Sequence, residues 1–135
     1  MKKVAIPEKM QKFYGTGTML HPDQQMVELV IKEIPVGRVA TIDSLCQRLA
    51  LDHDTDVTCP MRTANFLKTI AEMHSELNDN ESIPFWRVIR KNHLLIKSSF
   101  TARCAENLEK EGFQVNHSKG EFKVLNAKGR LFTFL

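Results

Sequence analysis

The chain has 135 residues, 42% apolar and 26% charged, a composition that fits one soluble globular domain able to bury a core without metals or cross-links. Nineteen Lys and Arg against sixteen Asp and Glu give a formal net charge of +3, a basic lean that permits nucleic-acid binding without requiring it. Cys46, Cys59 and Cys104 are odd in number and widely spaced, the apolar run after Met1-Lys2-Lys3 is too short for export, and no stretch reaches membrane-spanning length. A reduced cytoplasmic setting with no membrane partner is expected.

Residues 1–20 read as an extended arm, broken by Pro7 and by Gly15-Thr16-Gly17-Thr18. Gly-Thr-Gly lacks the Lys and helix start of a phosphate loop, so a plain turn is expected. From 22 to 33, Met26, Val27, Val30, Ile31 and Ile34 recur at three- and four-residue spacing, the pattern of an amphipathic helix ended by Pro35 and Gly37. Val39-Ala40-Thr41 leads into a short helix over 42–51, with Thr41 as its cap and Leu45, Cys46 and Leu49 inward. A third helix is expected to start at Pro60 and run to 77, burying Phe66, Leu67, Ile70, Ala71 and Met73. Helix, connector and longer helix make a helix-turn-helix candidate, although the connector is longer than the usual tight turn.

After a polar turn over 78–82, Trp86-Arg87-Val88-Ile89 and Leu94-Leu95-Ile96 read as short strands. Residues 101–112 should be helical, with Cys104, Ala105 and Leu108 inward and Gly112 as the stop. Phe113-Gln114-Val115, Phe122-Lys123-Val124-Leu125 and Leu131-Phe132-Thr133-Phe134 are strand-like. A turn at Asn126-Ala127-Lys128-Gly129 would join the last two into a terminal hairpin. The fold expected is α/β in the α+β sense: a winged-helix-like domain over 21–115, with the arm before it and a hairpin extension over 116–135.

Three segments carry a resemblance. Ile34-Pro35-Val36-Gly37-Arg38-Val39, Pro84-Phe85-Trp86-Arg87-Val88 and Leu108-Glu109-Lys110-Glu111-Gly112, in that order around a helix-turn-helix candidate, resemble the C-terminal domain of O6-alkylguanine-DNA alkyltransferases. The resemblance spans roughly 19–115. It is closer to a branch of that superfamily with Gly-Thr-Met near the N-terminus, Thr-Cys-Pro before the third helix and Pro-Tyr-Trp-Arg-Val at the centre, matched here by Gly17-Thr18-Met19, Thr58-Cys59-Pro60 and Pro84 to Val88. The parent family has Pro-Cys-His-Arg-Val at the centre, where the Cys accepts the alkyl group. Here Phe85 replaces the Cys and Trp86 the His, which implies a protein similar to the alkyltransferase-like proteins that lack the acceptor.

The resemblance also implies a minor-groove contact by the helix-turn-helix, with the target base flipped out because it is unreachable inside the duplex. Arg62, or Met61 if the alignment slips by one, corresponds to the side chain that fills the vacated stack. The bland alternative makes Arg62 an exposed first-turn residue and Met61 core. Ile42 stands where the family has a Tyr that acts on the target phosphate, and Ser98-Ser99-Phe100 replaces a glycine-rich loop. Glu111 matches the Glu that orients the His; with Trp86 there it has no imidazole to orient, and it reads either as part of the base pocket or as a solvated helix Glu.

No other residues assemble a catalytic set. Cys46 and Cys104 read as packing. Cys59, at a helix start that would lower a thiol pKa, reads as structural or capping because no partner His is assignable. His53, Asp54, Asp56 and Cys59 lack zinc-ligand spacing, so neither metal nor cofactor is expected. Between Pro84 and Arg103 there is no Asp or Glu, while Arg87, Arg90, Lys91, Lys97 and Arg103 stand among Phe85, Trp86 and Phe100, as on a base-stacking, phosphate-tracking surface. Thr41, Arg62, Thr63, Asn65, Lys68, Arg87 and Arg90 are the candidate DNA contacts, and Met61, Phe85, Trp86 and Glu111 the candidate pocket. Double-stranded DNA, alkylated or plain, is the expected partner, with a repair protein as a further one. The competing reading keeps the fold as a protein- or ligand-binding module, with Trp86 in the core and Asp52, Asp54 and Asp56 repelling phosphate.

Overall fold

The computed structural model describes residues 1–74 and 83–134. Three helices form the centre: α2 (Gln24–Ile31), α3 (Ile42–Asp52) and α4 (Pro60–His74). Asp23 caps α2 by accepting from the Met26 N–H at 3.0 Å, and Thr41 caps α3 by accepting from the Ser44 N–H at 3.2 Å, so both helices begin where an oxygen meets an orphan donor. Val27, Val30 and Ile31 of α2, Leu45 and Leu49 of α3, and Leu67, Ile70 and Ala71 of α4 share one buried core. Met73, expected on the buried side, is exposed. The expected end of α4 at 77 and the polar turn over 78–82 lie outside the described residues.

The long connector between α3 and α4 has a structural use. Asp54 takes a left-handed φ of 57°, and the chain then forms a strand, β4 (Val57–Thr58), before α4 begins. Strand β4 runs parallel to β2 (Thr18–His21), which pairs antiparallel with β1 (Lys2–Ala5). Residues 1–20 are therefore a folded layer rather than an arm: Ile6 and Met19 pack on Cys59 in a small second core bordered by Val4, Met10 and Val57. The Gly-Thr-Gly segment is a close-approach turn. Gly17 sits at φ +139°, a Cβ there would overlap the Asp56 carboxylate, and Asp56 accepts from the Thr18 N–H at 2.8 Å.

Trp86 and Arg87, expected to open a strand that runs to Ile89, belong instead to a 3-10 turn over Phe85–Arg87, with the Arg87 N–H bonded to the Pro84 carbonyl. A strand would direct Phe85 and Trp86 to opposite faces, whereas the turn buries both. Only β5 (Val88–Ile89) is strand, parallel to β3 (Ala40–Thr41). Leu94 and Leu95 make single bridges to Lys123 and Ile89. Helix α5 (Thr101–Lys110) ends at Gly112, φ +92°.

The hairpin comes earlier than expected, between β6 (Val115–Ser118) and β7 (Glu121–Val124). Its two-residue turn is Lys119-Gly120, with φ of 52° and 77°, the signs a tight hairpin requires. Residues 126–129, expected to turn a hairpin, instead lead through a short 3-10 turn that returns Leu131 to pair with Val39. Phe132 donates to the Val39 carbonyl at 2.7 Å, so the last segment adds to the β3 side of the domain rather than to β7.

Candidate nucleic-acid interface

The three motif segments meet in one buried network. Gly37, at φ +83°, points its N–H at Glu111 Oε1 from 3.0 Å. The Trp86 indole Nε1–H donates to Glu111 Oε2 at 2.6 Å, and Arg87 Nε donates to both carboxylate oxygens at 3.0 and 3.1 Å. Arg87 also donates through a terminal nitrogen to the Ile34 carbonyl at 2.8 Å, and its guanidinium lies 5.5 Å from the Trp86 ring centre. The Arg87 and Glu111 side chains are only 11% and 9% exposed. Glu111 is therefore not a solvated helix Glu: it accepts from an indole in place of the imidazole that the resemblance assigns to that position. Arg87, expected to meet phosphate, is already committed to this network and is unavailable to DNA.

Phe85 and Trp86 meet edge to face, ring centres 5.3 Å apart, and both are buried. The cavity left among Leu67, Lys68, Ala71, Phe85, Trp86 and Cys104 holds about 20 Å³, the space of a single water where small-molecule sites typically offer ~300 Å³ or more. These two aromatics fill the candidate base pocket rather than line an open one. The expected surface of cations interleaved with aromatics is thus absent, because Phe85 and Trp86 point inward and Phe100 packs against the same core. Arg90 and Lys91 are exposed, and Lys97 lies 3.5 Å from Glu121.

Helix α4 presents the other candidates. Met61, Arg62, Asn65 and Lys68 are all exposed, and their three- and four-residue spacing sets them on one face from the first turn onward. Met61 is 70% exposed, which removes the core reading of that residue. Thr63 is fully buried and donates to the Cys59 carbonyl at 2.9 Å, so it cannot reach a groove edge as expected. Thr41 is half-buried and serves as the α3 cap. Around Arg62 the N-terminal layer adds charge: burial first, then Arg62 and Lys2, push the His21 imidazole below its usual value.

The acidic connector is less repulsive than its composition suggests. Asp56 is held by Thr18, and Asp52 pairs with Arg48 at 2.8 Å. Arg48 also pairs with Glu33 at 2.8 Å, so both of its partners are carboxylates.

No protein-family model and no curated protein matches the chain. Solved structures do match, among them two from S. pombe. S. pombe Atl1 in complex with damaged DNA containing O6-carboxymethylguanine is 22% identical with a TM-score of 0.56, and S. pombe ATL in complex with DNA is 20% identical with a TM-score of 0.57. Each alignment covers 82% of this chain and 94% of the other. The likeness is one of fold. It supports the α/β winged-helix-like architecture expected from the sequence.

Burial raises the thiols of Cys46 and Cys104 to about 11 and about 12, the values of packed rather than reactive cysteines. Cys59 is buried in the second core, and it is its backbone carbonyl, not its side chain, that serves the α4 start. Among the described residues no group of three His, Cys, Asp or Glu is arranged to hold a metal, and no described helix is long and apolar enough to cross a membrane. Sequence reasoning missed His21 paired with Lys2 and within the field of Arg62, and Asp56 against Thr18. These contacts arise from strand pairing between residues far apart in the chain, for which no local pattern gives a signal.

Proposed function

We propose that the protein is a non-catalytic DNA-binding protein that meets the duplex with the exposed face of α4. The observation that carries this reading is the row Met61, Arg62, Asn65 and Lys68 on the exposed face of α4, with His21 close enough to feel the Arg62 charge. Arg62 and Lys68 supply phosphate contacts, Asn65 a donor and acceptor for groove edges, and Met61 an apolar wedge. Phe85 and Trp86, where the resemblance places the acceptor Cys and its His, offer neither nucleophile nor base.

A second reading is recognition of O6-alkylguanine in DNA repair, with a repair protein as a further partner. It is supported by the likeness to Atl1 in complex with O6-carboxymethylguanine DNA. In this chain the space beside Phe85 and Trp86 is only about 20 Å³, so such recognition requires both rings to move and the Trp86–Glu111 bond to break. The closed pocket favours duplex binding without base uptake.

Fluorescence anisotropy with a labelled plain duplex at low and moderate salt tests the proposal. Arg62→Ala should weaken binding about 10- to 100-fold, as for a lost charge-assisted contact, and lower the salt slope by about 1. Absence of binding by the wild type at low salt would leave the protein- or ligand-binding module as the better reading.

A further inference from the structure

The N-terminal layer carries a feature that the α4 surface does not explain. The 3-10 turn Glu8–Met10 and the short helix α1 (Gln11–Tyr14) bury no residue, yet they are held in place. Gln11 donates from its side chain to the Ile6 carbonyl at 3.2 Å, and Gly15, at φ +75°, closes the helix onto the Gln11 carbonyl at 2.7 Å. What this segment displays is an aromatic tip. Phe13 is 72% and Tyr14 43% exposed, with ring centres 6.4 Å apart, and Lys12 Nζ lies 5.0 Å from the Phe13 ring centre. Lys2, Lys3, Lys9 and Lys12 are exposed in this layer against Glu8 as its one acid.

The tip stands beside the α4 start. Tyr14 lines one wall of a groove of about 300 Å³ whose other walls include Ile42, Asp43 and Cys46 of α3 and Pro60, the residue immediately before Met61 and Arg62. The strand pairing of β2 with β4 fixes this placement, because β4 runs directly into α4.

We propose that Lys12, Phe13 and Tyr14 form a second contact with duplex DNA, the two rings packing on sugar or base edges while Lys12 meets a phosphate. The inference rests on the DNA-binding reading of α4 and extends that surface across the groove to the N-terminal layer. Cations beside exposed rings are the chemistry that nucleic acid takes. The sign of the surrounding charge agrees. A protein partner fits less well: two aromatic side chains bury at most about 150–250 Å² each, well short of the roughly 800 Å² per partner of a stable interface. Asp43 within the groove repels phosphate, and Asp56 is bound to Thr18, so the DNA backbone passes over the rim and does not enter the groove.

The test compares wild type, the double variant Phe13→Ala/Tyr14→Ala and the single variant Lys12→Ala in anisotropy titrations with one plain duplex. Thermal melts check that each exposed-site variant stays folded. The double variant should bind about 5- to 20-fold more weakly with an unchanged salt slope, and Lys12→Ala should lower the slope by about 1. Wild-type affinity in folded double and single variants, while Arg62→Ala weakens binding, overturns the inference and leaves the α4 reading intact. Absence of DNA binding by the wild type overturns both. Self-association of the wild type that the double variant loses, with duplex affinity unchanged, assigns the tip to a second copy of the chain and also overturns the inference.

Discussion

Glu111→Ala removes one acceptor from three donors at once. The Trp86 indole N–H, the Arg87 guanidinium and the Gly37 N–H all converge on this carboxylate, and the Arg87 side chain left behind is 11% exposed. Breaking a buried pair from one side strands a charge, at a cost of about 3–5 kcal/mol. At about 2.1 cal/mol/K per residue, a chain of 135 residues has an unfolding entropy near 0.28 kcal/mol/K, so the melting temperature should fall by about 10–18 °C. Glu111→Gln keeps a carbonyl acceptor and loses the charge, so its cost should be smaller, about 1.5–3 kcal/mol. Trp86→Phe should cost less in the Glu111→Ala background than in the wild type, with a coupling of about 0.5–3 kcal/mol. Urea and thermal unfolding followed by circular dichroism measure the wild type and all four variants. A Glu111→Ala loss within about 0.5 kcal/mol, the range of an ordinary surface substitution, would refute the network as a structural element.

Two further predictions concern titration. At pH 8 the raised Cys46 and Cys104 thiols, at about 11 and about 12, should hold far less thiolate than an unshifted thiol at 9.0, so alkylation by iodoacetamide should be slower than for a free thiol; labelling of folded protein at the free-thiol rate would contradict the packing. His21 is held below its usual 6.5, so in the window between its folded value and 6.5 the unfolded chain binds more protons and stability declines as pH falls. A DNA phosphate near Arg62 reverses that bias by favouring the imidazolium. Duplex affinity should therefore rise as pH drops below 6.5, and His21→Gln should flatten that component of the pH profile.

The helices were legible because each has a local signature: Asp23 and Thr41 at helix starts, Pro60 at the first helical position, and apolar residues at three- and four-residue spacing. What was not legible depended on partners distant in the chain. Nothing near Gly17 announces Asp56, and nothing in residues 1–20 announces that β4 will complete their sheet. Trp86 and Arg87 looked like the start of a strand because aromatic and branched residues favour strands, yet burying Trp86 together with the adjacent Phe85 required a turn. The terminal hairpin was displaced because Lys119-Gly120 is a weaker written signal than Asn126 to Gly129, although its backbone geometry is the one a two-residue hairpin needs. At the site, the resemblance brought Phe85, Trp86 and Glu111 to notice from widely separated segments. Which of their atoms would bond, and that Arg87 would be drawn inward with them, required the structure.

The most direct measurement of the central claim is a titration of the wild type against two duplexes identical except for one O6-alkylguanine, each at two salt concentrations. The account predicts salt-dependent binding to both, with affinities within about threefold of one another because the pocket is closed, a difference under ~1 kcal/mol. No binding to either duplex at low salt would contradict the DNA-binding role of α4, and a strong preference for the alkylated duplex would contradict the closed pocket.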